Sequence, residues 1–217
     1  MIPHKTPFIL PLLYPSLIWR MDPGAKELFL TFDDGPVPGP TEFVLDQLTL
    51  ASVQATFFCI GDNIRKHPEV FQRITSGGHI VGNHTMNHLN GWKTGASEYV
   101  ANVSACDIIA ADQGYSQSVT LFRPPYGRIT RKQINSLAHY RIIMWDVLSQ
   151  DYNPHLSPDQ CLRRTIDACR PGSIIVFHDS YKAQRNMEYA LPRLIDHFAS
   201  KGYRFRPITL NRGQSNQ

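Results

Sequence analysis

Residues 27–36 read ELFLTFDDGP, and this stretch decides how the rest of the chain is interpreted. Its first six residues are an apolar run of the kind that forms a buried strand, and two adjacent carboxylates, Asp33 and Asp34, follow the run at once. Gly35 and Pro36 then impose a turn. The stretch therefore predicts a strand that leaves the core and ends in two acidic side chains.

Four further runs have the same character: residues 55–60 (ATFFCI), 79–83 (HIVGN), 141–147 (RIIMWDV) and 173–178 (SIIVFH). We predict helices between them at residues 41–50, 63–76, 96–112, 130–138 and 186–201, and another that starts at Ser157, where Pro158 and Gln160 resemble a capped beginning. Strands that alternate with helices predict an α/β fold with a parallel sheet, either an open doubly wound sheet or a closed barrel. We favour the barrel.

Acidic and imidazole side chains stand where these runs end. Because the C-terminal ends of parallel strands meet at one face, which is where barrels carry their chemistry, we expect these side chains to share one mouth. Four runs supply them: Asp33 with Asp34, His84, Asp146, and His178 with Asp179.

Length and composition favour a single domain over residues 1–217, with residues 211–217 as a polar, flexible tail. The net charge of +4 is spread along the chain without a basic run, which argues against nucleic acid as a partner. The four cysteines are too far apart for a metal knuckle, so we expect buried thiols. No signal in the sequence favours a particular oligomeric state.

The apolar segment of residues 6–19 is short for a bilayer span and is interrupted by Pro7, Pro11 and Pro15, so we predict no transmembrane helix. A basic stretch, an unbroken apolar region and a cleavage site do not follow one another, so no signal peptide is evident. We expect a protein that either stays in the cytoplasm or, if processed, acts at the cell envelope.

The sequence HTMNH places His84 and His88 at positions i and i+4, where a helical turn would put both imidazoles on one face and let them hold one ion. A chance pair of histidines is the alternative. With Asp34 as third ligand, the site would keep an open position for water, as catalytic metal sites do. Asp33 would then act as general base, unless both aspartates only make turn hydrogen bonds.

His178 is a candidate general acid, and a buried neutral histidine is the alternative. The loop RPPYG at residues 123–127 is stiff enough to hold backbone amides as an oxyanion hole, and Arg123 can pair with Asp33. The alternative for this loop is a surface turn with a solvated arginine. Several aromatic residues near these motifs could stack on sugar rings, although Trp145, inside a strand run, is expected mainly to pack. They are Trp92, Tyr126, Trp145 and Tyr152.

Five motifs in this order, TFDDGP, HTMNH, RPPYG, WDVLSQDY and IIVFHDS, resemble those of the polysaccharide deacetylases, the NodB homology domain of carbohydrate esterase family 4. The resemblance runs from about residue 29 to residue 205, within a motif-bearing core of about residues 27–208. It implies a distorted (β/α) barrel, usually of seven parallel strands. It also implies one divalent metal ion, most often zinc, although cobalt and other ions can serve.

The resemblance assigns a role to each matching residue. Asp33 would be the base, oriented by Arg123, and the backbone N–H of Tyr126 would donate to the oxyanion. Val176 falls where the family often has a leucine lining the acetyl pocket, so this pocket should be slightly wider. The metal ligands would be Asp34, His84 and His88, and the acid would be His178.

The fourth motif departs from the family pattern DxxDW. Leu148 stands at the first aspartate of that pattern and cannot accept a hydrogen bond, so the carboxylate that tunes His178 is missing or has moved. Asp151, which matches the second aspartate, and the nearby Asp146 are both candidates for that role.

The reaction implied is metal-dependent hydrolysis of the N-acetyl group in a polysaccharide containing N-acetylglucosamine, either peptidoglycan or a chitin-like polymer, with release of acetate. An N-acetylated glycan is thus the expected partner. Two alternatives remain: a deacetylase-like domain that binds glycan without catalysis, and a hydrolase acting on O-acetyl xylan or a small amide.

Overall fold

The structure, a computed structural model, describes residues 3–22, 26–116 and 120–210. A parallel sheet forms its centre. Its strands are β1 (Glu27–Asp33), β2 (Thr56–Cys59), β3 (Ile80–Asn83), β4 (Leu121–Phe122), β5 (Arg141–Ile142), β6 (Val147–Leu148), β7 (Ile174–His178) and β8 (Arg204–Phe205). The helices are α1 (Ile9–Leu13), α2 (Pro40–Leu50), α3 (Gly61–Lys66), α4 (Pro68–Ser76), α5 (Ala96–Asp112), α6 (Arg131–Ser136), α7 (Pro158–Ala168) and α8 (Gln184–Ala199). Two 3₁₀ turns lie at Gly91–Lys93 and Pro125–Gly127.

Seven strands pair in the order β5-β4-β3-β2-β1-β7-β6, every pair is parallel, and β8 adds to the start of β1. The sheet curls into a half-barrel with helices around it, so the predicted distorted (β/α) barrel is confirmed. β1 lies between β2 and β7, and its Phe32 stacks between the rings of Phe57 and Phe177 at centroid distances of 5.0 and 6.3 Å. Burial on both faces explains why these strands are continuous apolar runs.

The sheet does not close: within the described residues, its edge strands β5 and β6 pair with β4 and β7 and not with each other. The N-terminal segment lies along this gap. The Ile18 amide donates to the Ile142 carbonyl at 2.9 Å, and the Leu148 amide donates to the His4 carbonyl at 2.8 Å. One segment thus supplies hydrogen-bond partners to both edges of the sheet.

The prediction of one strand at residues 141–147 was wrong. The run leaves β5 at Ile142 on one edge of the sheet and joins the other edge at Val147, so it crosses the gap of the barrel. The carbonyls of Ile143 and Met144 accept hydrogen bonds from Arg123 instead of from a neighbouring strand. The apolar composition of the run indicates that it is buried, but it does not indicate that the run passes from one edge of the sheet to the other.

The single helix predicted at residues 63–76 is two helices, α3 and α4, separated at His67, whose backbone has φ −132° and ψ 56°. Pro68 disfavours the helical conformation in the residue before it and lacks an amide hydrogen, which accounts for the break. The capped start at Ser157 is confirmed: its hydroxyl accepts from the Gln160 amide, and the Gln160 side chain accepts from the Ser157 amide, both at 3.2 Å.

β4, β8 and the short helix α1 were not predicted, because two residues of strand or five of helix give no measurable periodicity. The predicted flexible tail at residues 211–217 lies outside the described residues. Among the helices of the described ranges, none has the length and apolar character required to cross a bilayer.

Replacing Ser157 with alanine removes the acceptor for the first turn of α7. We expect Ser157→Ala to lower the free energy of unfolding by about 1 kcal/mol, measured by urea denaturation. Ser104→Ala, at an exposed position within α5, is the control and should not destabilise the protein. Equal unfolding midpoints for wild type and Ser157→Ala would show that the hydrogen bonds of the cap do not stabilise the protein.

Candidate metal and catalytic site

Most of the predicted site residues line one cavity of about 390 Å³ at the C-terminal ends of the strands, and Arg123 and Asp151 contact residues that line it. Asp33 ends β1 and His178 ends β7, and the two residues are direct partners in the register of the sheet. His84 follows β3 at once. Strand ends therefore position Asp33, Asp34, His84 and His178 at one mouth, as predicted. The same prediction was wrong for Asp146, which lines a different groove, and for Asp179, which does not line this cavity.

Asp34, His84 and His88 can place one ligand atom each so that all three lie within 4.8 Å of one another. Oδ1 of Asp34 is 3.7 Å from Nε2 of His84 and 3.2 Å from Nε2 of His88. The same Oδ1 is buried without a hydrogen-bond partner. Two imidazole nitrogens and a carboxylate oxygen facing one another fit a divalent cation such as zinc.

Hydrogen bonds to the other ring nitrogens orient both histidines. Nδ1 of His84 is 2.8 Å from the carbonyl oxygen of Arg123, which can only accept, so Nδ1 carries the proton and Nε2 keeps its lone pair for a metal. Nδ1 of His88 is 3.1 Å from the hydroxyl of Tyr126. Burial lowers the pKa of His84 to about 4, so this imidazole is neutral, as a metal ligand must be.

Asp34 is held in its ionised form. Burial opposes ionisation, but the nearby imidazole of His88, at 3.2 Å, and the charges of His178 and His84 outweigh it and keep the pKa of Asp34 well below its usual value. The backbone of Asp34 is left-handed, with φ 85°, and a cis peptide bond joins Gly35 to Pro36. The side-chain amide of Asn63 donates to the Asp34 carbonyl at 2.7 Å and fixes this turn.

The expectation that HTMNH is a helical turn was wrong. Residues 84–88 form a loop in which Thr85 and His88 have left-handed backbones, with φ 65° and 55°. The amide of Thr85 donates to the Asn83 side chain, and the hydroxyl of Thr85 accepts from the Leu89 amide. Side chains that bond to nearby backbone in this way compete with helix formation. The two imidazoles converge because of this loop and not because of helical spacing.

Arg123 is fully buried and binds Asp33, with 2.6 Å between Nη1 and Oδ1. The guanidinium also donates to the hydroxyl of Thr31 at 2.7 Å and to the carbonyls of Ile143 and Met144 at 3.2 and 2.9 Å. A buried charge is tolerated only when it is paired and hydrogen-bonded, and here every nitrogen of the guanidinium donates at least one hydrogen bond. Arg123 is thus a buried partner of Asp33 and not a solvated arginine of a surface turn.

Asp151, and not Asp146, contacts His178. Oδ1 of Asp151 is 2.8 Å from Nδ1 of His178, and Oδ2 accepts the His178 amide at 2.7 Å. Asp146 instead pairs with Arg170 at 3.0 Å and with the hydroxyl of Ser173. Burial lowers the pKa of His178, but the charge and hydrogen bond of Asp151 outweigh it and raise the pKa to about 9. This imidazole therefore carries a proton at neutral pH.

The remaining predicted residues form the wall of the cavity: Tyr126, Trp145, Leu148, Tyr152 and Val176 all line it. Tyr126 has a left-handed backbone, with φ 61°, and an exposed ring. Trp145 also packs against two hydrophobic clusters, so it serves packing and cavity wall together. A Cβ added to Gly127 would lie 2.5 Å from the Trp145 ring, so the RPPYG loop and Trp145 are in close contact.

Asp179 supports the turn that carries the two site aspartates, a role that the sequence did not indicate. It is buried, its Oδ1 accepts the Gly35 amide at 3.0 Å, and its Oδ2 accepts the Thr41 hydroxyl at 2.6 Å. Burial raises its pKa to about 8. A Cβ at position 35 would stand 2.0 Å from Oδ2, so the DDGP turn needs glycine to rest against this carboxyl group. Gly35 marks a tight turn in the sequence, but nothing in the sequence identifies Asp179 as the group packed against it.

Fold and site together define a (β/α) half-barrel protein with a possible two-histidine, one-carboxylate metal site at its mouth. The family model for polysaccharide deacetylase matches residues 20–144, more than half of the chain. The chain belongs to the polysaccharide deacetylase family.

Named relatives include two peptidoglycan-N-acetylglucosamine deacetylases of Bacillus cereus. One is 34% identical over 183 residues, which are 82% of this chain and 66% of that protein. The other is 30% identical over 198 residues, 88% of this chain and 90% of that protein. A chitooligosaccharide deacetylase of Bradyrhizobium is 34% identical over 163 residues, 73% of each chain. The chain thus spans just under two thirds of the first relative.

Solved structures agree in fold. The crystal structure of the Bc1960 peptidoglycan N-acetylglucosamine deacetylase superposes with a TM-score of 0.85 at 30% identity, covering 94% of this chain and 95% of that one. The structure of BA3943, a family 4 pseudoenzyme from Bacillus anthracis, gives 0.78 at 25% identity, covering 89% and 68%. The half-barrel is therefore common to enzymes and to a pseudoenzyme.

Replacing Asp151 with asparagine removes the charge that raises the pKa of His178, while burial remains. We expect the pKa of His178 to fall from about 9 to below its ordinary 6.5 in Asp151→Asn, measured by NMR titration of chelator-treated protein. Because the folded-state pKa is raised, the stability due to this pair is full below pH 6.5 and lost as the pH rises through about 9. The difference in the free energy of unfolding between wild type and Asp151→Asn should therefore be largest below pH 6.5.

Asp146→Asn is the matched control, since Asp146 pairs with Arg170, and it should leave the pKa of His178 near 9. A larger fall in Asp146→Asn than in Asp151→Asn would contradict the assignment.

Proposed function

We propose that the chain is a metal-dependent deacetylase that hydrolyses the N-acetyl group of a polysaccharide containing N-acetylglucosamine and releases acetate. The observation that carries the proposal is the meeting of three ligand atoms with two proton-transfer groups around one cavity: Asp33 held by Arg123, and His178 held by Asp151. The names of the relatives, peptidoglycan and chitooligosaccharide deacetylases, support the same reaction.

Asp34, His84 and His88 would hold the ion, for which zinc is the first candidate. When bound, a divalent ion supplies Lewis acidity, polarising a carbonyl and lowering the pKa of water from about 15.7 towards 7. The three residues offer the groups that such an ion requires: one neutral imidazole with an oriented lone pair, a second imidazole beside it, and an ionised carboxylate.

Asp33 is the proposed base that takes a proton from the attacking water. Its pairing with Arg123 keeps the second oxygen of the carboxylate available on the cavity side. His178 is the proposed acid: protonated at neutral pH, it delivers a proton to the sugar nitrogen as the C–N bond breaks. The backbone N–H of Tyr126 is the proposed oxyanion donor. Val176 and Leu148 would surround the acetyl methyl with apolar surface.

Two cations suggest which polymer is bound. Arg128 and Lys182 line the cavity, and in the described ranges neither forms an ion pair. The Arg128 guanidinium lies 5.2 Å from the Trp92 ring, and the Lys182 ammonium lies 5.3 Å from the Tyr152 ring. Aromatic faces flanked by free cations suit a glycan that carries carboxylates. Peptidoglycan, with its muramic acid and peptide carboxylates, is therefore the proposed substrate, and it would place the site of action in the cell envelope.

The reaction is tested by measuring acetate released from N-acetylglucosamine oligomers and from peptidoglycan. We expect chelator to abolish release and zinc or cobalt to restore it. Asp33→Asn should bind the metal as wild type does but lose about 10² to 10⁴ in kcat, because proton transfer in the transition state is lost. Metal content is read by elemental analysis of the same samples.

Acetylated xylan and small amides complete the substrate panel. Faster release from acetylxylan would replace the proposal by an esterase, and binding of metal and glycan without any acetate would replace it by a non-catalytic domain. Full activity of Asp33→Asn would remove the base assignment alone.

The role of the two rim cations is tested separately. We expect the double variant Arg128→Gln, Lys182→Gln to lower kcat/KM on peptidoglycan fragments about tenfold relative to neutral chitooligomers, because two charge-assisted contacts are lost. Arg193→Gln with Lys201→Gln changes the charge equally at positions that do not line the cavity, and should leave this ratio unchanged. An equal loss on both substrates would show that the cations do not select charge.

A further inference from the structure

The N-terminal segment carries a cluster of exposed apolar side chains that the proposed chemistry does not use. Phe8 is 81% exposed, Ile9 45%, Leu12 68% and Leu13 55%, all within or beside α1. We call these four residues the N-terminal patch. Two other exposed apolar side chains, Leu50 and Ile108, lie on separate helices, α2 and α5, and such scattered exposure is normal for a protein surface. Contiguous apolar exposure generally marks an interaction surface.

The segment that carries the patch is fixed to the barrel on both sides. Before it, the Thr6 amide donates to the Asp146 carbonyl at 2.9 Å. After it, Leu17 is buried in a hydrophobic cluster, and Ile18 exchanges hydrogen bonds with Ile142 and Met144 at 2.9 and 2.7 Å. The fold therefore holds this segment in place while its apolar side chains face solvent.

The charges around the patch have one sign. Residues 3–20 contain Lys5 and Arg20 and no aspartate or glutamate. Both cations are exposed and line a groove together with Phe8. The one acidic side chain lining this groove, Asp146, is buried and paired with Arg170. The patch is thus an apolar surface beside free positive charge.

Aromatic residues complete this pattern. Tyr14 and Trp19 are half-buried at the margin of the segment, and the Trp19 indole donates to the Tyr14 carbonyl at 3.1 Å. Exposed apolar side chains, flanking cations and amphipathic aromatic rings are together the composition that binds the interface of an anionic bilayer.

We propose that the N-terminal patch docks the protein on an anionic phospholipid surface, with the four apolar side chains inserted at headgroup depth and Lys5 and Arg20 against lipid phosphates. A second copy of the chain fits less well, because a two-fold contact would bring like charges together. The four apolar residues of the patch and its two cations are also fewer than the roughly 20–30 residues that each partner contributes to a stable protein interface.

The test is co-sedimentation of the whole chain with phosphatidylcholine vesicles, alone or containing roughly one third phosphatidylglycerol. We expect wild type to bind the anionic vesicles. Leu12→Ser with Leu13→Ser should lower the partition coefficient about tenfold or more, because inserted apolar area is lost. Lys5→Gln with Arg20→Gln should remove the preference for anionic vesicles and its salt sensitivity. Thermal unfolding confirms that each variant is folded.

Leu50→Ser is the matched control: Leu50 is 80% exposed but stands alone, and its loss should not change partition. Failure of wild type to bind anionic vesicles overturns the proposal, as does an equal effect of Leu50→Ser. Concentration-dependent dimerisation that disappears in Leu12→Ser with Leu13→Ser, without vesicle binding, would assign the patch to a second copy instead. None of these outcomes depends on deacetylase activity.

Discussion

One buried ion pair, between Arg123 and Asp33, organises the site. The guanidinium reaches the end of β1 and also the carbonyls of Ile143 and Met144, where the chain crosses the gap of the barrel. The backbone carbonyl of the same arginine sets the tautomer of His84. A single residue thus connects the proposed base, a proposed metal ligand and the open side of the sheet. Removal of one partner would leave a charge buried without compensation. The pair therefore restricts which residues can occupy positions 33 and 123.

The fourth motif shows how one carboxylate can serve where the family pattern has two. Asp151 uses one oxygen for the ring nitrogen of His178 and the other for its backbone amide. The ring and the strand end that carries it are therefore fixed by the same group. The side chain of Leu148 cannot form a hydrogen bond and contributes apolar surface to the cavity. The departure from the pattern leaves a carboxylate beside the imidazole and changes the wall next to it.

Much of this architecture could be predicted from the sequence, because strand burial leaves apolar runs and parallel topology gathers the residues at their ends. Asp34, His84 and His88 do meet, but through a loop that side-chain hydrogen bonds of Thr85 and Asn83 maintain, and no periodicity encodes such a loop. The crossing at residues 143–146 resembles a strand in sequence because burial looks the same on either path. The role of Asp179 could not be predicted because it depends on Gly35, a contact 144 residues away.

The gap between β5 and β6 leaves one wall of the cavity outside the regular pairing of the strands. Where a closed barrel would have a strand with a fixed hydrogen-bond register, this protein has a short crossing that carries Trp145 along the cavity. The side chain of Trp145 is not part of a strand register, whereas the carbonyls of Ile143 and Met144 on the same crossing are held by Arg123. Exchange of the side chain at position 145 would therefore reshape this wall of the groove, while the backbone that holds Arg123 and Asp33 stays in place.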